Sequence, residues 1–267
     1  MKLSARVAHV GIAVGYLLSC AACGASTTPQ IPGAAVSVSS PGKALVYTAV
    51  GASETAGVGA DIDRFRDAWP AVLYASALPT AAVYYNLGIS GATIPDALTD
   101  ELPRALELHP DLVTVWLNVN DLVTGRDVAT YQAGLQQLVR ALRQGGHAKV
   151  LVANTPVLSG LPLVKACLGE GPFPSGVPAG DVCPLSRGDG QRWTAAALDA
   201  QVAAYNQAIA RVVSGEGAVL VDLHSQGDVA TLHPEDVDRE DGFHPSDAGH
   251  AAIAAVFART LQASGGP

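Results

Sequence analysis

Five short apolar runs, separated by segments with helical spacing, organise the chain. They are Ala44–Val50 (ALVYTAV), Ala82–Leu87 (AVYYNL), Leu112–Val119 (LVTVWLNV), Lys149–Asn154 (KVLVAN) and Ala218–Leu223 (AVLVDL). Each is nearly unbroken in hydrophobicity, the pattern expected of parallel strands covered on both faces. Between the runs, Pro95 after Thr93 reads as a helix start. Tyr131, Leu135, Leu138, Val139 and Leu142 recur at helical spacing, as do Leu198, Val202, Tyr205, Ile209 and Val212. Both stripes are simplest as core faces. A final helix is expected from about Ser246 to Leu261. The alternation of strand and helix predicts an α/β fold, a three-layer α/β/α sandwich around a five-stranded parallel sheet. The one long irregular stretch, Pro156–Trp193, is of the kind that forms lids or binding loops.

Composition narrows the function classes. The chain has 267 residues, 49% of them apolar and 15% charged, so it is globular rather than disordered, collagen-like or coiled-coil. Its net charge is -8, and Lys2 and Arg6 belong to the extreme N-terminus, which leaves the remainder more acidic still. With no basic stripe, nucleic acid is excluded as a partner.

The N-terminus reads as an export signal. Met1–Arg6 is a short basic start, and Val10–Ser19 is an apolar run too short to span a bilayer comfortably. Residues 1–22 are therefore taken as a signal peptide, 23–42 as a flexible linker rich in Ser, Thr, Pro, Gly and Ala, and 43–267 as the folded domain. Leu17-Leu18-Ser19-Cys20 resembles a bacterial lipobox, which makes Cys20 the expected lipidation site and the membrane, through that anchor, an expected partner. Cys20-Ala21-Ala22-Cys23 offers a second register, and plain secretion is the alternative. The other two cysteines, Cys167 and Cys183, bracket a loop rich in Gly and Pro. In an oxidising compartment they are expected to pair. Free thiols are the alternative; two further ligands that would make a metal site are not evident. The loop they close is expected to shape substrate entry, leaving the catalytic groups to rest on other strands.

Candidate chemistry gathers at the carboxyl ends of the strands, where parallel α/β sheets bind ligands. Ser53 follows the first run in Gly51-Ala52-Ser53-Glu54, and Gly88 follows the second. Asn120 ends the third in Asn118-Val119-Asn120-Asp121, and Asp241 and His244 follow the fifth, just before the last helix. Singly these residues are ordinary caps, turn formers or surface groups. Together, in this order on one sheet edge, they resemble the SGNH hydrolases, the GDSL-type esterase and lipase family. The tail Asp-Gly-Phe-His-Pro-Ser-Asp-Ala-Gly-His at 241–250 is the most specific part, and the resemblance spans about Leu45 to Phe257. Two positions depart from the family pattern: Ala52 stands where an Asp is usual and Asn118 where a Gly is usual.

The resemblance implies a flavodoxin-like fold and a serine esterase acting on a small ester, with no cofactor and no metal. Ser53 would be the nucleophile, His244 its base and Asp241 the carboxylate that orients the base. The backbone N–H groups of Ser53 and Gly88 and the amide of Asn120 would form the oxyanion hole. Carbohydrate or cell-wall O-acetyl esterase is the nearest alternative activity, and a tethered, non-catalytic binding module the alternative class. Other enzyme motifs are incomplete. Neither Ser53 nor Ser90 sits in Gly-x-Ser-x-Gly, the run beginning Gly57-Val58-Gly59 lacks the last glycine of a dinucleotide loop, and a P-loop lysine is missing. His224, His233 and His250 match no common metal spacing and read as surface or core histidines.

Overall fold

The computed structural model describes residues 43–60, 63–178, 183, 193–225 and 233–267. The expected signal segment, the linker and Cys20 lie outside the described residues. Within them, five strands form one parallel sheet: β1 (Val46–Gly51), β2 (Val83–Asn86), β3 (Leu112–Trp116), β4 (Lys149–Ala153) and β5 (Val219–Val221), in the spatial order β2-β1-β3-β4-β5. The order places β1 and β3 side by side at the point where the winding reverses, so their carboxyl ends open a crevice between them.

Side-chain alternation divides the core into two layers. Val50, Val113, Val115, Val150 and Val152 face helices Val128–Arg143 and Ala195–Glu216. Tyr47, Ala49, Leu112, Leu151 and Ala153 face helices Trp69–Ala77 and Asp247–Ala263. The sheet is thus the middle layer of an α/β/α sandwich. The two long helical stripes lie where the spacing put them, with Tyr131, Leu135, Leu138 and Leu142 on one and Leu198, Val202, Tyr205 and Ile209 on the other all buried.

Helix starts follow local chemistry. Thr93 and Asp96 form a capping box around Pro95, and the Ser246 hydroxyl accepts from the Gly249 N–H at the head of the last helix.

The structure corrects three details. β3 is covered throughout and β1 and β4 are covered beyond their first residue, whereas β2 is an edge strand with Val83 39% and Tyr85 40% exposed. Strand β3 stops at Trp116, and Asn120 belongs to a short helix, Val119–Val123, rather than to a strand end. The stretch from Pro156 is not wholly irregular, because Pro162–Leu168 is helical. Proline at the first helical position costs that segment no hydrogen bond.

His250, in the expected tail motif, is a core residue. Its Nδ1 accepts from the Trp69 N–H at 3.2 Å and its Nε2 faces the Val58 carbonyl at 3.2 Å. Nearby, Trp69 stacks on Phe257 at 4.1 Å. Burial pushes the His250 pKa down to about 4. Between that value and the usual 6.5 the unfolded chain binds a proton that the folded chain does not, so stability falls as pH drops through this window. The depression corresponds to on the order of 3 kcal/mol. Thermal melts should therefore show an acid-side loss between about pH 6.5 and 4 that is shallower in His250→Gln, a variant that is itself less stable at pH 7. Equal acid-side slopes in the two proteins would remove His250 as its source.

Candidate active site

The first site segment is the turn that leaves β1. Ala52 caps α1 (Ser53–Ala56) without a side-chain hydrogen bond, so no capping oxygen covers the first N–H groups of this helix. Ser53 is 6% exposed, and its hydroxyl donates to Glu54 Oε2 at 3.3 Å. Beneath the turn, the Gly51 N–H donates to Glu101 Oε2 at 2.7 Å. Glu101 is fully buried on a π-helical turn, Ala97–Glu101, and desolvation pushes its carboxyl up to about 8. A neutral acid there anchors the end of β1 without adding a charge below the serine.

The loop after β2 is bound to this turn. Asn86 Nδ2 donates to the Thr55 carbonyl at 2.6 Å, and the Ile89 N–H to the Gly51 carbonyl at 2.9 Å. Gly88 lies between them. A Cβ there would sit 2.8 Å from the Ala56 nitrogen, so the close approach requires glycine. The Gly88 N–H is engaged, donating to Asn86 Oδ1 at 3.0 Å.

Helix Val119–Val123 closes the third side. Asn120 Nδ2 donates to the Ala92 carbonyl at 2.9 Å, and Asp121 Oδ2 accepts from the Ile94 N–H at 2.9 Å while pairing with Arg126. Asn118, where the family pattern has Gly, donates to the Ala153 carbonyl at 3.2 Å and so ties the exit of β3 to the end of β4. The loops carrying Ser53, Gly88 and Asn120 are therefore linked by hydrogen bonds, directly or through one neighbour.

The Asp241–His244 turn completes the site. Asp241 Oδ1 accepts from the backbone N–H groups of Phe243 at 2.7 Å and His244 at 3.0 Å, and Oδ2 lies 2.6 Å from His244 Nδ1. Burial alone would raise the Asp241 carboxyl, but the ring and backbone hydrogen bonds outweigh it and bring the pKa below its usual value. Burial alone would lower that of His244. The Asp241 hydrogen bond and the negative charges of Glu54, Asp241 and Asp238 reverse it, and the net shift is upward. Because a carboxylate only accepts, Nδ1 carries the proton and Nε2 is left as the basic nitrogen. The loop leaving α1 passes against this turn: a Cβ at Gly59 would lie 3.0 Å from His244 Cβ. Among the described residues, the hydrogen bond of the Ser53 hydroxyl is to Glu54 and not to His244.

Cys167 and Cys183 form a disulfide with Cα atoms 5.3 Å apart. Closing a loop of this size contributes ~3 kcal/mol in the chain-entropy view. The Gly176 N–H inside the clipped loop donates to the Glu240 carbonyl at 2.9 Å, and the Leu163 N–H, in the helix that leads into the loop, donates to the Gly242 carbonyl at 3.0 Å, so loop and helix together brace the start of the Asp241–His244 turn.

Glu54, the residue after Ser53, lines a small cavity of about 70 Å³ together with Trp116, Val119, Leu158, Phe243 and Ile253 among others. Glu54 and Glu101 were not singled out from the sequence. An acid one residue from a serine and an acid in an amphipathic segment carry no signal of burial until the fold is known. Among the described residues no cluster of three or more His, Cys, Asp or Glu could hold a metal, and no helix is long and apolar enough to cross a membrane.

A parallel α/β/α sandwich with a serine, an Asp–His pair and amide donors on one sheet edge defines the ester-hydrolase class of this fold. The chain belongs to the GDSL-like lipase/acylhydrolase family, whose profile matches residues 49–252. Solved structures agree in fold. TesA superposes with a TM-score of 0.57 at 22% identity, over 82% of this chain and 98% of its own. An extracellular lipase from Streptomyces rimosus gives 0.54 at 20% identity, over 82% and 99%. A two-domain esterase active on acetylated mannans gives 0.56 at 20% identity, over 84% of this chain and 52% of its own. A comparison with curated proteins finds no match.

Proposed function

We propose that the chain hydrolyses small esters through an acyl-enzyme on Ser53. The observation that carries the reading is the 2.6 Å pair of His244 Nδ1 with Asp241, presented on the sheet edge that also presents Ser53. A serine hydroxyl is a poor nucleophile until a base removes its proton. Once it turns from Glu54 toward His244, Nε2 takes that proton as Oγ bonds to the ester carbonyl carbon. Asp241 holds the imidazole in the required tautomer and stabilises the imidazolium. The carbonyl oxygen becomes an oxyanion, met by the Ser53 N–H and by the Asn120 amide hydrogen not given to Ala92. The Gly88 N–H joins them on release from Asn86. The carbon–oxygen bond to the alcohol breaks, His244 returns the proton to the leaving alcohol, and water repeats the sequence to free the acid. A test is rapid-mixing hydrolysis of p-nitrophenyl acetate and butyrate. The expected result is a p-nitrophenolate burst approaching one per chain, followed by slower turnover. No release above the uncatalysed rate with either ester contradicts the reading.

The same reading places the enzyme outside the cytoplasm on a lipid-anchored tether. The basic start, the short apolar run and the lipobox-like Leu17–Cys20 support it. Cys20→Ser is expected to move the protein from the membrane fraction to the soluble fraction. Retention with the membrane would place the anchor elsewhere or remove it.

A further inference from the structure

Glu54 transfers no proton in the steps above, although its charge helps raise the His244 pKa, and it is held where it must influence what binds. It is 9% exposed, follows Ser53 in α1, and lines the small cavity described above. Among the described residues its carboxylate pairs with no lysine or arginine, and its hydrogen bond is the 3.3 Å contact with the Ser53 hydroxyl. A buried carboxylate with so little compensation is costly unless a ligand supplies the missing partner. The cavity walls are otherwise apolar and aromatic, with Trp116 and Phe243 among them. A second acid, Asp236, also lines it, and the Asp236 Oδ2 is buried without a hydrogen-bond partner. No lysine or arginine among the described residues lines it. Two under-partnered carboxylates and aromatic rings around an apolar hollow are the chemistry that recognises a compact cation.

We propose that this cavity receives a positively charged group of the ester substrate, a substituted ammonium, and that Glu54 determines this specificity. The proposal rests on the reading of Ser53 as the nucleophile. An ammonium in the cavity would be attracted by Glu54 and Asp236 and would contact the aromatic walls through its carbon substituents. A neutral group of the same shape would gain only the apolar contact. An anionic group would meet uncompensated negative charge and be rejected.

The test compares acetylcholine with 3,3-dimethylbutyl acetate, in which carbon replaces the charged nitrogen at nearly constant shape. Hydrolysis is followed by pH-stat for the wild type, Glu54→Gln and Ser53→Ala. The expected kcat/KM of the wild type is at least about tenfold higher for the cationic ester, since each 1.4 kcal/mol of preference is a factor of ten. In Glu54→Gln that ratio falls toward one. A wild-type ratio of one or below, or a ratio that Glu54→Gln leaves unchanged, overturns the proposal. Should Glu54→Gln not fold, inhibition of wild-type turnover of the neutral ester by tetramethylammonium decides. Competitive inhibition is the expected result, and none overturns the proposal. Ser53→Ala separates the two levels. Its loss of both activities with a charge ratio of one in the wild type defeats only the cationic pocket, whereas undiminished turnover in Ser53→Ala defeats the nucleophile assignment beneath it.

Discussion

Ser53→Ala is expected to lower kcat for ester hydrolysis by on the order of 10⁴-fold or more, since removing the nucleophile of a serine triad leaves only binding and oxyanion stabilisation. The structural cost should be slight. Ser53 caps no helix, and among the described residues its hydroxyl makes one hydrogen bond, the 3.3 Å contact with the adjacent Glu54. The turn itself is fixed from below by Glu101 on the Gly51 N–H and from the side by Asn86 on the Thr55 carbonyl, neither of which the substitution touches. Circular dichroism and melting temperature should therefore match the parent protein while turnover disappears. A folded Ser53→Ala protein with undiminished activity would require another nucleophile.

The second large effect is expected at Asp241. Replacing it with Asn keeps an oxygen that can still accept from the backbone N–H groups of Phe243 and His244, so the turn survives. The ring partner changes character. An amide that donates toward His244 Nδ1 favours the tautomer with the proton on Nε2, the nitrogen that must be basic. In triads of this kind that swap costs about 10⁴ in kcat with little change in geometry. Steady-state kinetics on one neutral ester should show the loss in kcat rather than in KM. A drop of less than about tenfold would mean that Asp241 does not orient the base, because one decade is only 1.4 kcal/mol of barrier.

Much of this arrangement was legible in the residues, for identifiable reasons. The Asp-x-x-His spacing is short enough to close on itself. The Asp241 carboxylate reaches the backbone N–H groups two and three residues on, and the ring of the latter residue, so one tetrad specifies both turn and pair. The two long helical stripes were equally plain, because Tyr131 through Leu142 and Leu198 through Val212 repeat over several turns. What was not legible depends on contacts distant in sequence. The hydrophobicity of Ala82–Leu87 is that of a covered strand, but β2 has a neighbour on one side only, a fact of topology rather than of composition. The apolar run through Leu112–Val119 continues past the last ladder pair, so its end at Trp116 is set by β1 and β4 and not by the run itself. Binding of the clipped loop and its leading helix to Glu240 and Gly242 uses backbone hydrogen bonds. It also needs Gly242 at a φ of +65°, with Pro174 and Pro162 packed where a Cβ would lie. None of that pairing is written in either segment alone.

The family assignment and the fold leave one claim on which the mechanism depends, that Ser53 is an activated nucleophile served by His244. The most direct measurement is covalent labelling with a fluorophosphonate, read by peptide mass spectrometry. One adduct per chain is expected, on the peptide carrying Ser53, lost in Ser53→Ala and slowed by orders of magnitude in His244→Ala. Labelling at another residue, or a Ser53 peptide that stays unmodified while the folded protein hydrolyses esters, would contradict it.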